Sequence, residues 1–512
     1  MRRWLKRASG PLAAAALASG CTVGPNYRPQ DAAMPANFVE PQAAPAPGAS
    51  IDPATWWRAF NDPILDKLVE RALADNPDMA IAASRVRQAR LQEIAARSAG
   101  LPQVNASTEA THVEFSKNAG FSSIARLFSG GSGGGASGGG QTGGGGQGGS
   151  SGIALPGSGI TTYAAGFDAS WELDIFGGVR RQVEGARARA EAVEWSRRDA
   201  AVTLSAEVAQ AYFALRLDQT TAATIQAEIA RQTRALEIAG NTARAGLVPQ
   251  VDITRQRGQL TNTQARLEPV QADTRVRLHA LGFLVGGDPS SVTADLAGSA
   301  PALAPVPMVP AGLPSDLLRR RPDVRAAERA LAASTADIGV AVADLYPRFS
   351  LTGVAQLIST SLASLFERDS LQLTGTGSAR FPLVDWGRRQ ATVRMRREDR
   401  EQAYQQYRQA VLGALRDVED PLAQLDAERR RNETLRRAVA DNEVSARATE
   451  AQYRTGFVAQ DALLNAETQV LAAREQLVTS DAQLRQMTVS LFKAIGGGWS
   501  EDMPLPPAPA AP

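Results

Sequence analysis

The 512-residue chain holds one cysteine and two histidines. A single cysteine excludes an intramolecular disulfide framework and any thiolate metal cluster. His112 and His279 alone leave little for a His-based metal site or a His general base. Aromatic residues make up 5% of a chain that is 44% hydrophobic. Packing must therefore rest on aliphatic side chains and alanine, which suits long helices better than a sandwich. Past the leader, no segment is apolar enough for a transmembrane helix. There is no nucleophile elbow, zincin motif or paired-carboxylate signature, so neither an enzyme nor a cofactor is expected.

What is present begins at the N-terminus. Arg2, Arg3, Lys6 and Arg7 precede a short apolar stretch, Pro11 to Ala18, and Ala18-Ser19-Gly20 leads into Cys21. This order reads as an export signal over 1–20, its apolar run falling far short of a bilayer span. The trio before the lone cysteine resembles a lipoprotein lipobox, although Ala18 stands where a branched residue is usual. The resemblance implies acylation of Cys21, and Thr22 rather than Asp after it implies the outer membrane. Losing the four basic residues turns the formal charge from +2 to about −2, which removes any electrostatic case for nucleic acid.

The chain is internally duplicated. Asn76-Pro77-Asp78 matches Arg321-Pro322-Asp323 at an offset of 245, as does Leu101-Pro102 with Tyr346-Pro347. Gly177 with Gly387, Arg244-Ala245-Gly246 with Arg454-Thr455-Gly456, and Gly286-Gly287 with Gly496-Gly497 share an offset of 210. The 35-residue difference is an insertion in the first copy. The tract Gly130–Gly152 lies inside it, with 15 of the 45 glycines and no charge, and reads as a flexible loop over 129–159. It has no GKS/T ending, so it is not a phosphate loop.

Both copies have one grammar: a helix (Asp78 to Ser98; Val324 to Ala343), two strands, a long helix, a glycine turn and a return helix. Strands are predicted at about 104–115, 162–173, 349–357 and 371–383, where the apolar period becomes two. Leu204, Val208, Ala211 and Leu215, then Ile225, Ile229 and Leu236, form a heptad-like seam, repeated by Val411, Leu415, Val418, Leu422 and Leu425. Pro421 falls in that second seam and is expected to kink its helix. The domains are then 1–20 signal, 21–60 anchor segment, 61–290 first repeat, 291–312 linker, 313–499 second repeat and 500–512 Pro/Ala-rich tail.

Only these four strands could enter lipid, and four strands cannot close a barrel. An open edge in hydrocarbon leaves amides unpaired at several kcal/mol each, so the chain must borrow strands from copies of itself. Two copies give eight strands and a filled interior, whereas three give twelve and leave a passage.

At this point the residues carry a family likeness. Val23-Gly24-Pro25-Asn26-Tyr27-Arg28-Pro29, Trp57 with Phe60 and Asp62-Pro63, Asn76-Pro77-Asp78, Trp171-Glu172-Leu173-Asp174-Ile175-Phe176-Gly177, Arg321-Pro322-Asp323-Val324 and Lys493-Ala494-Ile495-Gly496-Gly497-Gly498-Trp499 occur in order. Together they make the chain resemble the TolC-like outer membrane efflux proteins, in particular the NodT-type outer membrane lipoproteins of tripartite systems. The resemblance implies a mainly α fold with a transmembrane β part: a homotrimer whose twelve-stranded β-barrel continues into an α-helical coiled-coil tunnel. It implies as partners a periplasmic adaptor, or membrane fusion protein, an inner-membrane RND-type transporter and outer membrane lipids. It implies a periplasmic entrance at the hairpin turns Gly246 and Gly456, with gate candidates Arg244, Asp252, Tyr453, Arg454, Asp461 and Asn465. Asn465 stands where relatives carry a carboxylate; solvated helix caps are the plain reading of the same residues. The rival functions are a lipid-anchored periplasmic adaptor, which should have a single hairpin, and a channel for one-step type I protein secretion.

Overall fold

The computed structural model describes residues 22–29, 34–40, 51–114, 159–244, 249–296, 304–309, 312 and 314–503. The expected signal peptide, Cys21, the glycine-rich tract, Gly246 and the tail from 504 lie outside the described residues. The chain divides into two compact units. One comprises Met1–Gly24, Ala95–Val183 and Gly339–Val393; the other comprises Pro25–Ile94, Glu184–Ile338 and Arg394–Pro512. Only the described residues of each are discussed.

The duplication is visible in element lengths. Helix α1 (Pro63–Asp75) is followed by α2 (Pro77–Ser98), strands β1 (Gln103–Glu114) and β2 (Gly159–Leu173), α3 (Gly178–Arg244), α4 (Gln250–Leu284) and α5 (Ser290–Leu296). The second copy runs α6 (Pro314–Arg320), α7 (Pro322–Ala343), β3 (Arg348–Ser359), β4 (Leu371–Arg380), α8 (Arg388–Arg454) and α9 (Gln460–Ala494). Helices α2 and α7 each have 22 residues, α3 and α8 each 67, and α4 and α9 each 35. At 1.5 Å per residue, each 67-residue helix is about 100 Å long.

Local chemistry sets where elements start and stop. Asp62 caps α1, accepting from the amides of Ile64 and Leu65 at 3.0 and 3.4 Å with Pro63 at the first position. Asp174 accepts from Val179 and Arg180 at the start of α3, and Asp385 from Gly387 and Arg389 at the start of α8. The turns before both long helices need left-handed backbone, supplied by Gly177 (φ 78°) and Gly387 (φ 83°). Strand β4 stops at Arg380, three residues short of the expected Leu383, because Pro382 has no amide to give the ladder. Helix α8 runs unbroken from Arg388 to Arg454 with Pro421 inside it.

In the larger unit the core gathers around a 3-10 helix, Pro53–Phe60, whose Trp56, Trp57 and Phe60 are buried. Trp56 stacks on Phe492 of α9 at 5.0 Å between ring centroids, and Phe60 lies 4.9 Å from Phe213 of α3. The seam residues Leu204, Val208 and Leu215 of α3 and Val411, Val418, Leu422 and Leu425 of α8 are buried in the same cluster. The motifs at offsets 245 and 210 meet there in pairs. The Asn76 side chain donates to the Leu284 carbonyl at the end of α4 (2.8 Å), and Arg321 donates to the Ala494 carbonyl at the end of α9 (2.9 Å). A Cβ on Gly286 would sit 2.3 Å from the Asp75 carbonyl oxygen, and one on Gly496 2.9 Å from that of Arg320. Each copy thus closes its return helix onto the loop that starts its first repeated helix.

Candidate functional site

Among the described residues the smaller unit carries an antiparallel four-stranded sheet in the order β1-β2-β3-β4, so β1 and β4 are its edges there. Register places Ala106 opposite Phe167, Phe167 opposite Ala355 and Ala355 opposite Leu373. One face therefore collects Val104, Phe167, Trp171, Leu351, Leu371 and Leu373, side chains 37 to 72% exposed. The opposite face is polar and knitted across strands. Asn105 donates to Asp168 (3.0 Å), the Ser350 and Ser378 hydroxyls are 2.7 Å apart, and Gln356 donates to Gln372 (2.9 Å). This is the reverse of a soluble sheet, in which the apolar face is the covered one. An exposed apolar band of that extent marks a surface built to be buried by something else.

In the larger unit the second site lies where the long helices turn back. Gly456 is left-handed (φ 81°), and among the described residues a Cβ added to it would meet nothing within 4 Å. The turn is closed by the Gly456 amide donating to the Tyr453 carbonyl and the Phe457 amide to that of Gln452, a Schellman-like end. Of the expected gate residues, the structure brings Tyr453 and Asp252 together. The Tyr453 hydroxyl is pushed above its ordinary range by burial first and then by the Asp252 carboxylate. Asp252 also lies 3.9 Å from Arg255. Arg454 is turned back onto Glu450 of its own helix at 2.6 Å, and Arg244 donates to Asn241. Asp461 and Asn465 are exposed one turn apart on α9.

Sequence reasoning missed the residues that tie the two hairpins together. Buried Gln460 donates to buried Gln256 at 3.0 Å, linking the first turn of α9 to the second turn of α4. Arg231 of α3 pairs with Glu228 and reaches Glu467 of α9; Arg266 of α4 pairs with Glu475 of α9. The available signal was polarity at seam-like positions, but on charged helices it is indistinguishable from a solvated face. Phe457, 84% exposed beside the turn, also went unremarked. Among the described residues no group of three or more His, Cys, Asp or Glu side chains is placed to hold a metal ion.

With this geometry in place, comparison with known proteins is informative. The family model described as outer membrane efflux protein matches residues 68–287 and 313–497. The pyoverdine export outer membrane protein OpmQ of Pseudomonas putida is 28% identical over 92% of this chain and 93% of its own length. Nodulation protein T of Rhizobium leguminosarum bv. trifolii is 28% identical over 94% of this chain and 96% of its own. Among solved structures, the outer-membrane channel OprN superposes with a TM-score of 0.80 at 30% identity, covering 94% of this chain and all of that one.

Proposed function

The chain belongs to the outer membrane efflux protein family and is the outer-membrane channel component of a TolC-like efflux system, and from this premise we propose that three copies form the working pore. The observation that carries the proposal is the sheet: its apolar face is exposed, its polar face is hydrogen-bonded across strands, and among the described residues both edges are open. Lipid covers such an apolar face, water fills the volume beside the polar one, and neighbouring strands satisfy the edges. Three chains supply twelve strands, enough for a passage. Trp171, whose indole donates to the Gly100 carbonyl (3.0 Å), with Phe176 and Tyr346 stacked at 4.7 Å, fits an aromatic girdle at the bilayer boundary.

The α3–α4 and α8–α9 hairpins then form the periplasmic tunnel, entered at Gly246 and Gly456. Arg244, Asp252, Tyr453, Arg454, Asp461 and Asn465 constrict that entrance until a periplasmic adaptor and an inner-membrane RND-type pump open it. Acylated Cys21 anchors the chain to the outer membrane, as in NodT-type lipoproteins. Small amphiphiles are the expected cargo, in keeping with relatives named for pyoverdine export and toluene efflux. The adaptor reading requires a single hairpin, whereas α3–α4 and α8–α9 make two.

Planar-bilayer recording tests the pore. Purified full-length protein should give discrete openings, and Asp461→Ala with Arg454→Ala should raise single-channel conductance. A protein that never conducts defeats the pore, while unchanged conductance in the double variant removes these two residues from the gate. Accumulation of amphiphilic drugs in a deletion strain tests the cargo; a normal profile would favour protein export.

A further inference from the structure

Residues 22–24, the first described after Cys21, are tied into the smaller unit by side chains and backbone of that unit alone. The Val23 amide donates to the Phe176 carbonyl at 3.2 Å. Arg181, in the first turn of α3 and 3% exposed, holds the same stretch: its Nε donates to the Val23 carbonyl at 3.2 Å and an η nitrogen to the Gly24 carbonyl at 3.3 Å. A guanidinium that spans two successive carbonyls fixes the direction of the chain as well as its place, because its donors lie in one rigid plane. Three glycines bring the backbones close enough for these bonds. Thr22 crosses Gly177, where a Cβ would lie 2.9 Å from the Thr22 α-carbon. Gly24 has φ 90° and passes Gly339 of α7, whose α-carbon would be 2.6 Å from a Cβ on Gly24. A Cβ on Gly339 would in turn lie 2.7 Å from Cγ of Arg181.

The equivalent positions of the second copy lack these devices. Moved by the offset of 210, Arg181 becomes Ala391, Phe176 becomes Trp386, which is 97% exposed, and Gly177 becomes Gly387, where a Cβ would meet nothing within 4 Å among the described residues. Moved by the offset of 245, Gly339 corresponds to Ile94. A strand-to-helix junction therefore forms with neither the buried arginine nor the glycine, and what explains their place in the first copy is the stretch 22–24 that they hold.

We propose that Arg181, Gly177 and Gly339 form a clamp for the mature N-terminus, and that the clamp places the acyl chains of Cys21 at the periplasmic boundary of the bilayer, beside the Phe176–Tyr346 stack. The proposal rests on the lipoprotein reading and adds where the lipid enters. Thr22 is one peptide bond from Cys21, about 3.8 Å between α-carbons, so a clamped Thr22 leaves the acylated residue almost no room to wander. Phe176 and Tyr346, stacked at 4.7 Å, supply the amphipathic aromatic level at which a bilayer ends. On a loose tether the same lipid would hold the chain to the membrane without setting the depth of the sheet within it. Arg181 is thus a positioning residue, acting on the lipid through Val23 and Gly24.

Spin labelling of the full-length protein in lipid vesicles tests the placement. Acylation occupies the sulfur of Cys21, the one cysteine of the chain, so Thr22→Cys supplies a single free thiol for a nitroxide. Its spectrum should be immobilised, and its relaxation should put it at the headgroup level: less sensitive to oxygen than a mid-bilayer label and less sensitive to a soluble nickel chelate than a label free in water. Adding Arg181→Ala, which copies Ala391, or Gly339→Ala, which crowds the Arg181 stem, should abolish the immobilised component while the acylated chain stays in the membrane. Should either variant lose helix content by circular dichroism, the mobility and depth of the label in the Thr22→Cys protein decide alone. A mobile or fully water-accessible label in that protein, or an immobilised one that survives in both folded variants, overturns the clamp; intact mass showing one label and the acyl chains then leaves the lipoprotein reading standing. Two labels per chain and no acyl mass overturn both.

Discussion

Gly286, Gly496 and Gly456 all have positive φ, yet they are not equivalent residues. A methyl group on Gly286 must displace the Asp75 carbonyl, 2.3 Å away, and one on Gly496 that of Arg320, whereas one on Gly456 would meet nothing within 4 Å among the described residues. Gly456→Ala should therefore cost only the left-handed backbone penalty, roughly 1–2 kcal/mol. Gly286→Ala adds overpacking of a further ~1–3 kcal/mol, and thermal unfolding of the two variants should separate them in that order. Asp199 provides a second residue-scale test. Its carboxyl is raised above the ordinary range by burial first and by Asp323 next, opposed by Arg321 and Lys493. These groups line a cleft of about 420 Å³ with Asp417 and Asp420. A raised acid binds its proton more tightly folded than unfolded, so its penalty appears as pH climbs through the ordinary Asp range near 4 and is complete above the raised value. Asp199→Asn should raise the melting temperature at pH 7, with the difference vanishing below about pH 4; an equal gain at both would assign the effect to packing.

Among the elements, the strands and the 3-10 helix make opposite predictions. Leu373 lies on the exposed apolar face of β4 and Thr374 on its polar face. An arginine facing lipid costs about 2–4 kcal/mol at mid-membrane, while one facing the lumen is tolerated. Leu373→Arg should cut the yield of membrane-integrated protein and Thr374→Arg should not; equal yields would remove lipid from the apolar face. In the 3-10 helix, Trp56 is fully buried on Phe492, so Trp56→Ala should cost about 3–5 kcal/mol. Trp56→Phe should cost less, since the indole N–H is buried without an acceptor. The elements were the most legible level of this chain. The heptad-like seam from Leu204 to Leu236 foretold α3, and period-two stretches foretold all four strands, because backbone geometry imposes those periods directly. The end of β4 was misjudged because an apolar alternation ran on through Pro382, where the missing amide overrides the pattern.

For the whole molecule, the proposed anchor makes a covalent prediction. Intact mass of membrane-purified protein should show residues 1–20 removed and acyl chains on Cys21, and Cys21→Ser should abolish both. An unprocessed wild-type N-terminus would refute the lipoprotein reading. The tunnel entrance is the least legible part of the chain. Tyr453 and Asp252 were each identified, but nothing in the sequence brings them together or pairs Gln460 with Gln256 across 204 residues.

By itself the sequence determined the duplication, the equal helix lengths in the two copies and the two faces of each strand, since all follow from spacing along one chain. Tertiary structure decided which motif meets which: Asn76 with the end of α4, Arg321 with the end of α9, and the glycines that let those ends close. It also decided which copies of a repeated surface are covered and which stand open, as at Phe176 and Trp386. Such contacts join residues hundreds of positions apart, and their distances are set by how helices pack rather than by any local period.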